Sequence, residues 1–197
     1  YFDLFDEKDI SYRQADEILT VQGRLTAGEY RLPGNVSSQF ISGLLFAFAV
    51  MKEPCQLEIQ GDLESAPYVR MTEGARTMFF PNGPIHDTIR IEGDWSNGAF
   101  WLTAAHLGNL VTVSGLNPQS AQGDRAVSQL VPLLKKERAI VSAKDIPDLV
   151  PILAVAAACS HGGIFTNIQR LRLKESDRVA SVMEMLTALG GRAEATE

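Results

Sequence analysis

Apolar residues crowd into three helix-length runs, and each run is entered through a short polar turn. Phe40–Val50 follows Pro33-Gly34-Asn35-Val36-Ser37-Ser38, Ala99–Leu107 follows Gly93-Asp94-Trp95-Ser96-Asn97, and Leu149–Ser160 follows Ile146-Pro147-Asp148. A second pattern interleaves with the first, in which a β-rich stretch ends in a polar cluster and leads into a more amphipathic helix. Its instances are Gln56–Gln60 into Gly61–Tyr68 and Thr72–Met78, Leu110–Ser114 into Gln119–Asp124 and Arg125–Leu134, and Gly163–Ile168 into Lys174–Arg178 and Val179–Leu189. Recurrence at a step of about 55 residues means that one supersecondary unit is used three times. Each unit reads as strand, helix, strand, helix, with further strand material at Thr88–Glu92 and Ala139–Ala143, so the fold class is α/β.

The two helices of a unit differ in kind. The first is apolar nearly all round, as in Phe40, Ile41, Leu44, Leu45 and Phe48 or Ala99, Phe100, Leu102 and Ala104, which predicts burial on most faces. Each large side chain so buried contributes about 1.5–3 kcal/mol before chain entropy is charged. The second helix carries a stripe: Val179, Val182, Met183, Leu186 and Leu189 recur at three and four, opposite Ser181, Glu184 and Thr187. It is expected to lie with one face in water and to stop at Gly190-Gly191.

Composition narrows the classes. A chain of 197 residues accommodates one domain or two small ones, and 45% hydrophobic with 21% charged residues is a globular rather than a disordered balance. A net charge of -6 makes a duplex nucleic acid an unfavourable partner, so any anionic ligand must be held by local donors and cations. The stretch Phe40–Met51 falls short of the roughly 18–20 apolar residues of a bilayer span. Asp3, Asp6, Glu7 and Asp9 occupy the place where a secretory leader would be basic, and a cytoplasmic location is expected. Cys55 and Cys159 have apolar neighbours and no metal-ligand spacing, which predicts buried free thiols.

Polar turns ahead of buried helices present free backbone N–H groups at the positive end of the helix dipole and so suit anions. Ser37, Ser38 and Gln39 add two hydroxyls and an amide at the first such mouth, although one serine there also reads as an ordinary helix cap worth about 1 kcal/mol. Asp148, directly after Pro147, likewise reads as a cap or as a functional carboxylate. The run Arg170-Leu171-Arg172-Leu173-Lys174-Glu175-Ser176-Asp177-Arg178 alternates so that Arg170, Arg172 and Lys174 share one side of an extended segment. It is either a solvated charge run or, through Lys174, Glu175 and Arg178, an ammonium, a proton-transferring carboxylate and a bidentate guanidinium set for small polyanions.

Five ordered segments carry a resemblance: Gly34-Asn35-Val36-Ser37-Ser38-Gln39-Phe40, Gly61-Asp62-Leu63-Glu64-Ser65-Ala66-Pro67-Tyr68, Gly93-Asp94-Trp95-Ser96, Asp145-Ile146-Pro147-Asp148 and Leu173-Lys174-Glu175-Ser176-Asp177-Arg178. In this order they resemble the 5-enolpyruvylshikimate-3-phosphate synthase family over essentially the whole chain, which corresponds to the middle of that longer enzyme. The resemblance implies two lobes of βαβαββ units with the active site in the cleft between them, here only part of each: residues 1–92 on the shikimate-3-phosphate side and 93–197 on the phosphoenolpyruvate and proton-transfer side. It implies transfer of the enolpyruvyl group of phosphoenolpyruvate to the 5-hydroxyl of shikimate-3-phosphate by addition and elimination, with phosphate released. Ser37, Ser38 and Gln39 are similar to binders of the shikimate phosphate and ring, and Ser65 and Tyr68 to further contacts. Asp148 resembles the carboxylate that holds the ring hydroxyls and accepts a proton, Lys174 a charged contact near the reacting hydroxyl, Glu175 the second proton-transfer group, and Arg178 a clamp on phosphoenolpyruvate. The family implies no metal or organic cofactor, only small-molecule substrates as partners, neither nucleic acid nor membrane, and a monomer when intact.

The chain also departs from the family. Its further cationic contacts to both substrates have no counterparts here, so the chain alone is expected to be inactive. The stretches Val69–Glu92 and Lys135–Lys144 are shorter than the family's usual segments, and the junctions Thr77-Met78-Phe79-Phe80 and Lys135-Lys136-Glu137-Arg138 suggest loops that are absent. Two rival readings stand beside this one: the sister transfer to UDP-N-acetylglucosamine, from which the Ser37–Gln39 and Lys174–Arg178 motifs point away, and a non-catalytic anion-binding fragment of the same fold.

Overall fold

A computed structural model of the chain describes residues 1–51, 53–79, 88–174 and 176–196. The chain divides into two compact units, Tyr1–Ile85 and His86–Glu197.

The first unit opens with α1 (Phe2–Glu7) and an antiparallel hairpin of β1 (Ser11–Ala15) and β2 (Ile18–Gln22), in register from Ser11↔Gln22 to Ala15↔Ile18. It continues as β3 (Gly28–Pro33), α2 (Ser38–Val50), β4 (Cys55–Gln60) and α3 (Ala66–Phe79). β3 and β4 run parallel from Gly28↔Cys55 to Pro33↔Gln60. Parallel strands cannot be joined by a tight turn, and α2 supplies the crossover. The core gathers Tyr30 and Leu32 of β3, Ile41, Leu44, Leu45 and Phe48 of α2, and Val69 of α3. A hydrogen bond of 2.7 Å between the hydroxyls of Ser42 and Thr72 ties α2 to α3.

The second unit contains α4 (Trp95–His106), α5 (Val127–Lys136), β5 (Ala139–Ser142), α6 (Val150–Ala158), β6 (Gly163–Thr166) and α7 (Arg178–Ala188). β5 and β6 are parallel, Ala139↔Gly163 to Ser142↔Thr166, with α6 as their crossover. Trp95, Ala99, Val127, Val131, Leu134, Leu149 and Leu153 meet in its main core. Val150, Leu171 and Val179 form a smaller one beneath α7.

The threefold repetition survives in the backbone. The amide following the first strand of a repeat donates to the carbonyl at the end of the second: Gly34 to Gln60 (2.9 Å), Gly93 to Gly115 (3.0 Å) and Ala143 to Thr166 (2.8 Å). In the outer repeats the residue after that acceptor turns left-handed, at Gly61 (φ 71) and Asn167 (φ 56), whereas in the middle repeat the acceptor Gly115 is itself left-handed (φ 86). Only Gly adopts this conformation without steric cost, and Asn tolerates it best among the rest.

Several expectations need correction. Thr88–Glu92 and Leu110–Ser114 form no strands. Among the described residues the middle repeat has no such ladder apart from the Gly93–Gly115 bond, and the Val111 amide turns back locally to the Asn109 carbonyl (3.0 Å). The charged run before α7 is not extended: Gln169–Leu173 forms a 3-10 helix, which buries Leu171 and leaves Leu173 79% exposed. Three residues per turn dissolve the single side that alternation assigned to Arg170, Arg172 and Lys174. Of the first-type helices, α6 is covered on most faces as expected, with only Ala158 of Val150–Ala158 exposed. α2 and α4 are not, since Phe46 on α2 and Trp101 on α4 are 47% and 60% exposed. Both cysteines are free, but Cys55 is only half-buried and Cys159 is exposed at the C-terminus of α6. Among the described residues no helix is long and apolar enough to cross a membrane.

Candidate functional site

In the first unit the chain leaves β3 at Pro33 and enters α2 through Ser37, whose extended backbone (φ -157, ψ 127) marks the helix cap. Its Oγ accepts from the Gln39 amide at 3.2 Å. The capping reading of the mouth is thus realised by Ser37, while Ser38 is buried in the first turn and Gln39 is exposed. Ser65 and Tyr68 stand at the start of α3, with the Tyr68 amide donating to the Ser65 carbonyl at 3.1 Å. Ser65 is buried and left-handed at φ 56, an uncommon state for a residue with a Cβ. The turn holding it is fastened to the α2 entrance, because the Glu64 amide donates to the Gly34 carbonyl at 3.1 Å. The structure therefore joins the two expected parts of the first-unit site, Ser37–Gln39 and Ser65–Tyr68, through Gly34.

In the second unit Asp148 lies in a 3-10 turn, Pro147–Leu149, that heads α6. Its Oδ1 accepts from Nη1 of Arg178, the first residue of α7, with the Arg and Asp side chains 25% and 35% exposed. Thus the structure brings together the two residues that sequence alone placed thirty positions apart. Lys174, half-buried, ends the preceding 3-10 helix. Glu175 lies outside the described residues, as does the Phe80 side of the Phe79-Phe80 junction. Asp177 caps α7, its Oδ1 accepting from the Ala180 amide at 3.0 Å and its Oδ2 from Arg172 at 3.1 Å. The Ala180 amide, and after it Arg172, holds the Asp177 carboxyl below the usual carboxylate range.

A polar cluster forms at the head of α4, where the sequence marks the turn Gly93–Asn97 but assigns it no site residue. Asp94 caps the helix, accepting from the Ser96 amide at 2.8 Å, and the buried Asp124 accepts from the Ser96 hydroxyl. Gln122 accepts from the Trp95 amide (2.8 Å) and donates to Glu92 and the Gly93 carbonyl, both at 3.0 Å. Ser120 donates to Glu92 at 2.6 Å. The donors Ser120 and Gln122 hold the Glu92 carboxyl below its ordinary range. The chain's own carboxylates and amide thus satisfy at this repeat the helix end that at α2 is dressed with hydroxyls. Spacing is the available signal, since Asp124 stands 56 residues after Tyr68 and 53 before Asp177, close to the step of the repeat. No group of three or more His, Cys, Asp or Glu able to hold a metal occurs among the described residues.

Parallel βαβ crossovers, repeated with one shared hydrogen-bond signature, define an α/β protein built by internal repetition. The family profile of EPSP synthase (3-phosphoshikimate 1-carboxyvinyltransferase) matches residues 74–197, and the chain belongs to that family. Proteins named 3-phosphoshikimate 1-carboxyvinyltransferase are similar across nearly the whole chain. That of Clostridium acetobutylicum is 37% identical over 96% of this chain and 52% of its own length, and that of Clostridium kluyveri 35% over 96% and 53%. The Brachyspira hyodysenteriae protein is 31% identical over 100% of this chain and 55% of its own. The chain spans about half the length of the curated relatives it matches. The first alignment extends over 223 residues although the chain has 197, so the relatives hold internal segments that this chain lacks.

Proposed function

We propose that the protein carrying this chain transfers the enolpyruvyl group of phosphoenolpyruvate to the 5-hydroxyl of shikimate-3-phosphate. Residues 1–92 contribute to the acceptor side and residues 93–197 to the donor and proton-transfer side. The observation that carries the reading is the Arg178–Asp148 contact, which sets the charged elbow ahead of α7 against the acidic turn heading α6. Both elements carry motifs of the family to which the chain belongs.

Ser37, Ser38 and Gln39 bind the acceptor's phosphate and ring with uncharged donors, and Ser65 and Tyr68 add contacts from the next turn. Asp148 takes the proton of the 5-hydroxyl as its oxygen bonds to C2 of phosphoenolpyruvate, while Glu175 delivers a proton to the methylene carbon. The tetrahedral ketal phosphate so formed then loses a proton from that carbon and expels phosphate, restoring the double bond. Lys174 and Arg178 hold the charge as fixed cations that need no reorganisation during the reaction, Arg178 through its planar fork. Two carboxylates of different proton occupancy are what such paired transfers require.

The test is to supply the intact protein with both substrates and follow inorganic phosphate together with the enolpyruvyl ether product. Formation of both in equal amounts supports the transfer, and absence of the ether refutes it. The 197-residue chain alone is expected to release no phosphate, because most of the cationic clamp lies outside it.

A further inference from the structure

We propose that Gly34 is a positioning residue for the acceptor: the absence of its side chain lets the turn carrying Ser65 and Tyr68 cross against the mouth of α2, so that the two form one binding surface. This rests on the reading of Ser37–Gln39 and Ser65–Tyr68 as the acceptor's contacts.

Three observations converge on this residue. A Cβ at Gly34 would come within 2.8 Å of the Asp62 carbonyl oxygen, 2.9 Å of Ile59 Cγ2 and 3.0 Å of Leu63 Cα. Two of the three obstacles are backbone, so no side-chain rotation relieves them. The Gly34 amide donates to Gln60 at 2.9 Å and its carbonyl accepts from Glu64 at 3.1 Å, so both of its polar groups are spent on the crossing segment. The crossing segment ends in Ser65, buried and left-handed at φ 56, a state that persists only where the surroundings impose it.

The ladder itself does not demand a glycine at this step. The third repeat has Ala143 there and keeps the equivalent bond to Thr166 at 2.8 Å. Nor is Gly34 in the left-handed region, since its backbone angle is not among the positive ones, and alanine can adopt its conformation. Space under Asp62 and Leu63 is therefore the whole requirement. Adding one methyl group displaces the turn that carries Ser65, and small misplacements of binding groups are costly.

The experiment measures shikimate-3-phosphate affinity by calorimetry, steady-state kinetics and thermal unfolding in the intact protein, comparing the parent with Gly34→Ala and Gly93→Ala. Gly93 is the matched control, because a Cβ there would also approach a carbonyl oxygen, that of Gly115, at 2.8 Å. Gly34→Ala is expected to weaken the acceptor about tenfold or more and to raise its KM by a larger factor than it lowers kcat. Gly93→Ala is expected to lower the unfolding temperature while leaving acceptor affinity within about twofold. Equal loss of affinity in both variants, or none in Gly34→Ala, overturns the inference while the enolpyruvyl transfer stands. A parent that does not bind shikimate-3-phosphate overturns both. Should Gly34→Ala fail to fold, hydrogen exchange in the parent decides: the Glu64 amide is expected to be protected without ligand and further protected with it, and unprotected exchange in both states overturns the inference.

Discussion

The guanidinium of Arg178 donates to the carboxylate of Asp148 across two helix beginnings, and neither side chain is more than about a third exposed. A charged hydrogen bond of this kind is worth about 1.5–3 kcal/mol, less when water reaches it.

Coupling between the two residues is measurable. Arg178→Ala is expected to destabilise the protein by about 1–2 kcal/mol, and a double-mutant cycle with Asp148→Asn to return about 1 kcal/mol of interaction. Denaturant unfolding of the four proteins gives the number, and additive effects would mean that the pair is decorative.

Ser37 and Ser38 should separate cleanly. Ser37→Ala removes the acceptor for the Gln39 amide and is expected to cost about 1 kcal/mol of stability. Ser38→Ala should leave stability nearly unchanged and weaken shikimate-3-phosphate by about 1–3 kcal/mol. Unaltered acceptor affinity in Ser38→Ala would reduce the mouth to a capped helix.

Glu175→Gln tests the proton-transfer role. Substrate binding is expected to persist while turnover falls about 100-fold or more. Unchanged turnover would remove Glu175 from the chemistry.

Acid should weaken the second unit partly through Glu92. Its carboxyl is held below the ordinary range by Ser120 and Gln122, so the folded state binds its proton less readily than the unfolded chain does. That contribution is present above the unfolded-state pKa and lost as the pH falls through the folded one. Denaturation midpoints measured from about pH 6 down to pH 3 should decline less steeply for Glu92→Gln than for the parent. Equal slopes would show that the Ser120 and Gln122 contacts do not persist in solution.

Gly74 offers a stabilising change. It sits inside α3 with nothing within 4 Å of where a Cβ would stand. Gly74→Ala is expected to add about 0.5–1 kcal/mol by reducing the freedom of the unfolded chain, as read by chemical denaturation.

Helices were the most legible part of the sequence, because a capped apolar run is a local signal. The runs after Ser37, Asp94 and Pro147 all fold as helices, with Asp94 capping its own. Strands at Leu110–Ser114 and Thr88–Glu92 were overread, since β-rich composition says nothing about whether a partner lies alongside. Alternation misled at Arg170–Lys174, where burial of Leu171 alone satisfies the core and a 3-10 helix delivers it as well as a strand would. The outward faces of Phe46 and Trp101 were invisible for a related reason: an all-apolar helix does not state which side its own unit will cover. The Asp148–Arg178 contact could not be read from spacing, because it depends on where α6 and α7 start relative to each other. Ser65, Tyr68 and the elbow are recognisable in sequence only as motifs, and the joining of Ser65–Tyr68 to Ser37–Gln39 through Gly34 only in the structure.

Among its described residues the middle repeat keeps a single ladder bond, Gly93 to Gly115, where its neighbours have continuous strand pairs. What a backbone ladder does elsewhere regardless of side-chain identity is here delegated to Glu92, Ser120, Gln122 and Asp124. That stretch of the chain is consequently the least forgiving of polar substitution, and drift that the flanking strands would absorb silently would there unfasten the head of α4.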